Sequence, residues 1–540
     1  GRIVPEAKNP LNRLLIWLYR PLIRWVLRAK LATLVVAVLI LAAAIIPARR
    51  IGSEFMPNLN EGTLFYMPTT LPGLSVTKAA ELLQTQNRII KTFPEVESVW
   101  GKAGRAQTAT DPAPIEMSET IINLKPVSLW RRGMTVDKLI AEMDTALQFP
   151  GVSNAWTMPI KARIDMLSTG IRTPVGVKIF GNDLGELERL ARHVEAVLRR
   201  VPGTTSAYAE RVNSGYFLEI APDRDQIARY GLSVADVQST IAMALGAELV
   251  TTTVEGRERY GVVLRYPRDV RSDPDAIASE VLVSLANGAA IPLGEVASIR
   301  RTQGPATVRT EDGRLAVYVY VDIRGRDLGG YVEEARQIVT DSVTFPPGYY
   351  ARWSGQFEYL ERAKERLQLV VPATLLVIFL LLYLNFRRLS DTLIVLLSLP
   401  FSLVGGLWLM DWMQFNMSVA TAVGFIALAG IAAETGVVML IYLDQALKEV
   451  KARRAAAGLA FTRADLHQAI MTGAVERVRP KMMTVAAIMA GLLPILWSTG
   501  VGSEVMQRIA VPMIGGMVSS TLLTLIVIPA LFALVHGREA

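Results

Sequence analysis

A single carboxylic acid, Glu434, lies within the apolar stretch FIALAGIAAETGVVMLIYL at residues 425–443. A charged side chain at mid-membrane costs at least ~2.5 kcal/mol, so such residues usually face a bundle interior and have a function there. Small neighbours let other helices approach closely, which predicts that protein rather than lipid encloses Glu434; they are Ala427, Ala429, Gly430, Ala432, Ala433 and Gly436. An acid that alternates between buried and water-accessible states can load and release a proton. The alternative is a neutral, hydrogen-bonded acid that only packs helices.

The side chains that bind metal ions are unevenly represented in this chain. It contains no Cys and only three His, which are scattered over a predicted helix, a predicted loop and the chain end: His193, His467 and His536. Zinc sites usually use His, Cys or carboxylate ligands. The 19 Met residues are the remaining soft donors, and thioethers suit Cu(I) and, by the same softness, Ag(I). Most methionines only fill hydrophobic cores, so their number alone does not identify a site.

The composition predicts a membrane protein. Of the 540 residues, 51% are hydrophobic and 20% are charged, and the mean hydropathy is +0.32. The apolar residues are gathered into long runs rather than spread evenly. Six of these runs approach the ~20 residues that cross about 30 Å of hydrocarbon: Leu31–Pro47, Leu369–Phe386, Leu393–Trp412, Met417–Leu443, Met482–Trp497 and Val511–Val535.

The basic residues predict the orientation of the six runs, because Lys and Arg stay on the cytoplasmic side of short loops. They are concentrated before the first run, at Arg387 and Arg388, and in the loop 445–480, which places these three segments inside. Only Arg49 and Arg50, at the outer end of the first run, oppose the rule. A solvated basic inner face explains the net charge of +8, so no nucleic-acid partner is predicted.

Residues 51–367 are not membrane-like and must form folded domains outside. Four times, a strand-like run precedes an amphipathic helix that ends near a proline, and a second strand follows; the helices begin near Val76, Val136, Leu184 and Leu328. Four strand–helix–strand units predict two split βαβ sandwiches, each a sheet backed by two helices. The stretch 223–307 has its own helix and strand and is predicted to be an insertion in the second sandwich.

The order of one apolar run, a double βαβ region with an insertion and five further runs resembles one half of a resistance-nodulation-division (RND) transporter. Five long stretches are similar to the heavy-metal efflux branch of that family, and in particular to its copper and silver exporters: residues 55–73, 110–126, 163–179, 424–443 and 477–510. Transporters of this family have twelve spans and two external regions. The resemblance therefore implies that the chain is the C-terminal half.

The implied fold class is an α-helical membrane bundle of six spans, half of a twelve-span fold, plus periplasmic α+β porter subdomains. The porter subdomains are of the split βαβ (ferredoxin-like) type, with an inserted docking subdomain. The expected segments are a cytoplasmic or interfacial amphipathic segment at 1–30, a span at 31–50, the first porter subdomain at 51–165, the second at 166–222 and 308–360, the docking subdomain at 223–307, and five spans at 368–540 with a cytoplasmic loop at 445–480.

The resemblance also implies site residues. An external three-methionine metal site corresponds to Met67, Met117 and Met166, of which Met166 is expected in a loop of small residues. Met506 corresponds to a methionine that passes metal through the membrane region. Charges along the cleft that leads to this site correspond to Glu61, Asp111, Glu119, Arg163 and Arg172. Lys481 resembles the relay lysine that accompanies Glu434, and Thr484 lies one turn further on. The alternatives are core methionines, solvated surface charges and, for Lys481, a positive-inside anchor.

The implied activity is proton-driven efflux of Cu(I) or Ag(I) by a multi-pass pump of the bacterial inner membrane with a large periplasmic domain. Such a pump is a proton antiporter and not an enzyme, needs no cofactor, and has the metal ion as its substrate. Its expected partners are the N-terminal half, two further copies in a homotrimer, a periplasmic adaptor, an outer-membrane channel and membrane lipid. The alternatives are an exporter of zinc, cobalt, nickel or organic compounds, and a non-transporting RND-like accessory protein.

Overall fold

A computed structural model describes residues 10–57, 59–106, 111, 113–305 and 307–538. The described part opens with three helices, α1 (Pro10–Arg28), α2 (Lys30–Ala43) and α3 (Ile45–Arg50). The Tyr19 hydroxyl of α1 donates a 2.7 Å hydrogen bond to the carbonyl oxygen of Leu525, near the other end of the chain. This contact holds α1 against the long helix that contains Leu525.

The first external region contains a four-stranded antiparallel sheet that packs against two helices. Its elements are β1 (Thr63–Tyr66), β2 (Thr69–Thr70), α4 (Val76–Lys91), β3 (Val96–Ala103), β4 (Ser118–Leu124), α5 (Val136–Ala146), β5 (Val152–Ser153), β6 (Trp156–Thr157) and α6 (Pro159–Thr169). The strand order is β3-β4-β1-β6, and β2 pairs separately with β5. Leu64, Ile90, Ile122 and Leu139 bring β1, α4, β4 and α5 into one core. Two βαβ units thus share one sheet.

The second external region begins with β7 (Val175–Gly181), α7 (Leu184–Leu198), β8 (Thr204–Ala209) and β9 (Gly215–Pro222). An insertion follows, with α8 (Arg224–Arg229), α9 (Val234–Ile241), β10 (Glu248–Glu255), β11 (Glu258–Leu264), α10 (Arg268–Ser272), α11 (Pro274–Glu280), β12 (Leu282–Ser284), β13 (Ala290–Pro292) and β14 (Ala297–Gly304). The chain then continues through β15 (Arg309–Glu311), β16 (Arg314–Ile323), α12 (Leu328–Ser342) and β17 (Tyr350–Gly355).

The second sheet repeats the plan of the first, with β8, β16, β7 and β17 in that order and β15 added beside β16. Buried residues of α7 and α12, among them Leu190 and Val332, pack on its strands. The insertion is joined by β9 and β14, which pair along their whole length from Gly215 and Gly304 to Pro222 and Ala297. The boundary predicted at residue 223 separates β9 from β14, although the two strands are hydrogen-bonded to each other. In the structure β9 is paired with the insertion.

The chain ends in long apolar helices: α13 (Gln356–Phe386), α14 (Leu389–Trp412), α15 (Val419–Ala456), α16 (Arg463–Leu492) and α17 (Ser503–Val535). Among the described residues, five helical segments are long and apolar enough to cross a membrane, and α17, bent by about 40°, makes a sixth if it counts as one span. Each of the six predicted runs overlaps one of these segments. Their passage through a membrane stays a prediction.

Helices α14 and α17 approach each other closely because glycines face one another. A Cβ atom added at Gly405 would lie 2.0 Å from the carbonyl oxygen of Gly515, and one added at Gly515 would lie 2.2 Å from that of Gly405. Backbone atoms cannot move aside as a flexible side chain can, so any larger residue forces the helices apart. Small residues at membrane-helix interfaces commonly serve this purpose.

We therefore expect Gly515→Ala to destabilise the helix bundle by about 1–3 kcal/mol, the usual cost of overpacking. Gly491→Ala in α16 is a matched control, because a Cβ there has no described atom within 4 Å. Thermal unfolding of both variants in detergent provides the comparison. Equal unfolding midpoints would show that the contact between α14 and α17 does not limit stability.

Candidate functional site

Met67, Met117 and Met166, which are far apart in the sequence, lie in one small apolar cluster. The other members of this methionine cluster are Phe65, Ala113, Ala155 and Ala162. Met67 is fully buried, Met117 is 2% exposed, and Met166 is partly buried. Three methionines are thus gathered among mostly small side chains, next to the end of β1 and the start of β4.

Backbone pairing positions two of the three methionines. Met67 lies just after β1 and donates a 2.9 Å hydrogen bond from its N–H to the carbonyl oxygen of Ala155. Met117 lies just before β4, where it forms an isolated antiparallel bridge with Thr69. Because these contacts use main-chain atoms, they leave both methionine side chains free to occupy the cluster.

Met166 is carried by α6, and not by the loop that the sequence predicts. The carboxylate of Glu61 accepts hydrogen bonds from the N–H groups of Ile160 at 3.0 Å and Lys161 at 3.3 Å, in the first turn of α6. Gly170, with φ of 74°, ends the helix. The helix start thus depends on a residue about 100 positions away in the sequence, which explains why a local pattern does not find it. Glu61 has a structural task in addition to any role in a cleft.

Arg172 contacts the methionine cluster directly. Its Nη1 lies 3.3 Å from the Sδ atom of Met117, and its Nη2 donates a 2.9 Å hydrogen bond to the Thr69 hydroxyl. The guanidinium also stacks over the ring of Tyr320, 3.9 Å from its centre. Of the five predicted cleft charges, Arg172 is therefore the one with a described bond to a candidate metal ligand.

Asp111 and Glu119, two other predicted cleft charges, share one cation. The Lys102 ammonium lies 2.8 Å from the Asp111 carboxylate and 2.9 Å from that of Glu119. Burial acts to raise the pKa of Asp111, but Lys102 and the N–H groups of Ala106 and Ala113 outweigh it and lower the pKa to about 2. Asp111 is therefore ionised at neutral pH and holds the chain next to Ala113 of the cluster.

The other two predicted residues of this region lie outside the methionine cluster. Arg163 is on α6 and its side chain is exposed. Met506 lies in the first turn of α17 with half of its surface exposed. Two residues earlier, Glu504 accepts a 3.3 Å hydrogen bond from the N–H of Asn60, which links the start of α17 to the segment before β1.

In the apolar helices, the lysine predicted for the relay is buried but the acid is not. Lys481 is 1% exposed, and its ammonium donates a 2.8 Å hydrogen bond to the hydroxyl of Thr435. Glu434 is exposed on the surface of this chain, so the described helices do not enclose it, and its enclosure by protein stays a prediction. The buried face of α15 runs through Ala432, Thr435 and Met439, and Glu434 lies beside that face.

Thr484, the third residue predicted for the relay, is also exposed and donates to the carbonyl oxygen of Pro480 at 3.1 Å. A threonine that sequence reasoning missed, Thr435, accepts the hydrogen bond of Lys481, and the role of Thr484 stays a prediction. The position of Thr435 directly after Glu434 is the only sequence signal that could have identified it. Tyr320, which stacks on Arg172, had no such signal, since it lies in an ordinary alternating strand.

A polar cavity of about 410 Å³ extends between α6, the second sheet and the start of α17. Arg172 lines it together with acidic residues from each of these elements, Asp165, Asp322 and Glu504. The ion pair of Arg508 and Glu54, at 2.8 Å, also lines the cavity. The cavity thus extends from the surroundings of the methionine cluster to the start of α17.

Comparison with known sequences and structures identifies the class of this protein. The sequence profile of the AcrB/AcrD/AcrF family matches residues 5–536, and the chain belongs to that family. The resemblance to the heavy-metal efflux branch of RND transporters is confirmed, because cation efflux proteins are among the relatives of this chain.

Two of these relatives are putative cation efflux system protein SilA of Salmonella typhimurium and cation efflux system protein CusA of Escherichia coli K12. Each is 49% identical to this chain; the alignments span 100% and 99% of the chain and 51% of each relative. A cobalt-zinc-cadmium resistance protein, CzcA of Cupriavidus metallidurans, is 35% identical over 100% of this chain and 50% of its own length. The crystal structure of a heavy metal efflux pump superposes with a TM-score of 0.84 at 32% identity, covering 97% of this chain and 53% of that one. The chain spans about half the length of the relatives it matches.

Asp322 gives this region a pH dependence. Burial is the main cause that raises the pKa of Asp322 to about 6; Arg324 opposes the shift and Asp144 adds to it. Because the folded state holds this proton more tightly than an unfolded chain does, its stabilising effect is complete below pH ~4 and is lost as the pH rises through about 6.

We expect Asp322→Asn to stabilise the protein at pH 8 by about 2–3 kcal/mol, since the amide removes the buried charge. At pH 4.5 the variant and the wild type should unfold at more similar temperatures. Thermal unfolding at the two pH values tests this expectation. A stability difference that does not change with pH would mean that Asp322 does not titrate in this range.

Proposed function

We propose that this chain is part of a proton-driven pump that exports the monovalent soft metal ions Cu(I) and Ag(I) across the bacterial inner membrane. The observation that carries the proposal is the convergence of Met67, Met117 and Met166 in one buried cluster. Thioethers are soft, uncharged ligands, and they favour Cu(I) over harder divalent ions. A neutral ligand set leaves a bound monovalent ion with its single charge, which an apolar shell tolerates better than a double charge.

A divalent-metal exporter is the main rival, and it has a basis in the 35% identical relative named for cobalt, zinc and cadmium. Such ions prefer nitrogen, thiolate and carboxylate ligands. Within the described ranges, no group of three or more His, Cys, Asp or Glu side chains is arranged to hold a metal ion. The methionine cluster therefore favours the monovalent ions. Efflux of organic compounds and a role as a non-transporting accessory protein are tested by the same experiments.

For the proton step, we propose Glu434 and Lys481 as the groups that change their contacts, with Thr484 further along α16. Lys481 is bonded to the neutral hydroxyl of Thr435, a contact that an ammonium group leaves readily for a carboxylate. Glu434 lies one position away on α15, and an added Cβ at Gly430, one turn before it, has no described atom within 4 Å. This open face suits the approach of a further helix. We propose that the N-terminal half of the pump covers it.

The same proposal places the rest of the protein. The region between α3 and α13 would form periplasmic porter subdomains, with the insertion as the docking subdomain, and the loop between α15 and α16 would be cytoplasmic. The chain would act together with an N-terminal half, in a homotrimer, with a periplasmic adaptor and an outer-membrane channel. Met506, near the outer end of α17, and the cleft charges Arg163 and Glu119 would lie along the route to the methionine cluster.

We expect Met67→Ile, Met117→Ile and Met166→Ile each to weaken Ag(I) binding at least about tenfold, because each removes one of the sulfur ligands and keeps the apolar volume. Met143→Ile is the matched control, since Met143 is fully buried in the core of the first sandwich, away from the cluster. Titration of the purified chain with Ag(I) and with Zn(II) measures the effect. Equal silver binding by the wild type, the three variants and the control would mean that the three methionines only pack the core. Tight Zn(II) binding without a response to Ag(I) would favour the divalent exporter.

In a pump that contains both halves, Glu434→Gln should abolish proton-coupled metal efflux and leave Ag(I) binding unchanged. Glutamine keeps the shape and hydrogen bonding of the acid but cannot titrate. Glu449→Gln is the control, because Glu449 is an exposed acid near the end of the same helix. Metal uptake into inverted vesicles that carry a pH gradient measures coupling. Efflux at the normal rate in Glu434→Gln would show that the acid is structural and that protons pass elsewhere.

A further inference from the structure

The guanidinium of Arg172 lies against one of the three sulfur atoms of the methionine cluster. Its Nη1 lies 3.3 Å from the Sδ atom of Met117. A thioether sulfur is a weak acceptor, and a lone pair that faces an N–H group is not available to a metal. A fixed positive charge at this distance also repels a cation among the same sulfur atoms.

Three contacts keep Arg172 in this place. Besides the sulfur, it holds the Thr69 hydroxyl at 2.9 Å and lies 3.9 Å from the centre of the Tyr320 ring. Thr69 also forms the backbone bridge with Met117. The two residues to which the guanidinium is bonded are therefore paired with each other. The arginine is therefore part of the architecture of the cluster rather than a side chain that moves freely near it.

We propose that Arg172 is an internal competitor of the transported ion, so that its guanidinium and a metal ion occupy the methionine cluster alternately. This inference rests on the proposed function of the cluster and adds a residue that sets its affinity. With Arg172 on Met117, one lone pair of that sulfur is occupied, and the positive charge of the guanidinium disfavours a cation in the cluster. When Arg172 leaves, a sulfur becomes free and a positive charge is removed from its vicinity at the same time.

The large cavity provides a place for the displaced guanidinium. Arg172 lines this cavity together with Asp165 and Glu504. Within the described residues, the Oε2 atom of Glu504 is buried and has no hydrogen-bond partner, and the same is true of the Nε atom of Arg172. A carboxylate oxygen and a guanidinium N–H are complementary, and charge-assisted bonds of this kind are among the stronger hydrogen bonds. Movement of Arg172 toward Glu504 would satisfy groups that the closed arrangement leaves unsatisfied.

The exchange also explains how a high-affinity site can release its ion. A pump must bind its substrate and then lower the affinity, and return of the guanidinium to Met117 lowers it by replacing one positive charge with another. Since Glu504 belongs to the first turn of α17, a shift of that helix would alter the attraction that draws Arg172 away. The methionine cluster would thereby respond to movement of the apolar helices.

The test is the affinity of the purified full chain for Ag(I), measured by titration of silver ions against a competing chelator. We expect Arg172→Gln to bind Ag(I) at least about tenfold more tightly than the wild type, because it removes the competing charge. Thr69→Val removes one contact of Arg172 without altering a sulfur ligand, and it should tighten binding by a smaller factor. Arg300→Gln is the control for net charge, since Arg300 is an exposed residue of β14 in the insertion, and its affinity should equal that of the wild type.

Met117→Ile is measured beside these variants, so that failure of this inference is distinguished from failure of the proposed function. If Met117→Ile loses silver binding while Arg172→Gln binds as the wild type does or more weakly, the cluster is a metal site and Arg172 is not its competitor. If Met117→Ile binds silver normally, the proposed metal site itself is wrong, and the role of Arg172 is overturned with it. A circular dichroism spectrum of each variant shows whether it is folded.

Discussion

The candidate site depends on one stretch of main-chain pairing at the end of the first sheet. The N–H of Met67 binds the carbonyl oxygen of Ala155, and Thr69 pairs with Met117. These contacts join three separate parts of the sequence and bring the residues of two thioethers, Met67 and Met117, into one cluster. Because the paired groups are backbone atoms, the cluster does not require its own ligands to hold the fold.

An ion pair, a hydrogen bond and a backbone bridge connect the same region to the apolar helices. Arg508 of α17 lies 2.8 Å from Glu54, and Glu504, one turn earlier, accepts the N–H of Asn60. Residue 53 also forms a parallel bridge with residue 417, just before α15. The segment that leads into β1 is thus bonded to the starts of two helices, and one of these helices carries Glu434. The helix that carries Glu434 is therefore connected through this segment to the strand that precedes Met67.

The sequence predicts elements well here where their signals are local. Helical periodicity ended by proline locates α4, α5, α7 and α12, and alternation of apolar residues locates β16. Contacts between distant residues are what it misses. Glu61 caps α6 from about 100 residues away, so the helix of Met166 is taken for a loop. The sequence also could not show that Glu434 lies outside the buried face of α15. A count of small neighbours does not tell which side of a helix another helix covers. The family resemblance supplied the three methionines; their meeting in one cluster required the structure.

The central claim is that three thioether sulfurs form the site of a soft monovalent ion. The most direct measurement is the X-ray absorption spectrum of the purified chain loaded with one equivalent of Cu(I), because its fine structure reports the element and number of the ligands. The account predicts a first shell of three sulfur neighbours, with the sulfur count reduced when Met117 is replaced by isoleucine. A first shell of nitrogen or oxygen, or a spectrum that the replacement leaves unchanged, would contradict it.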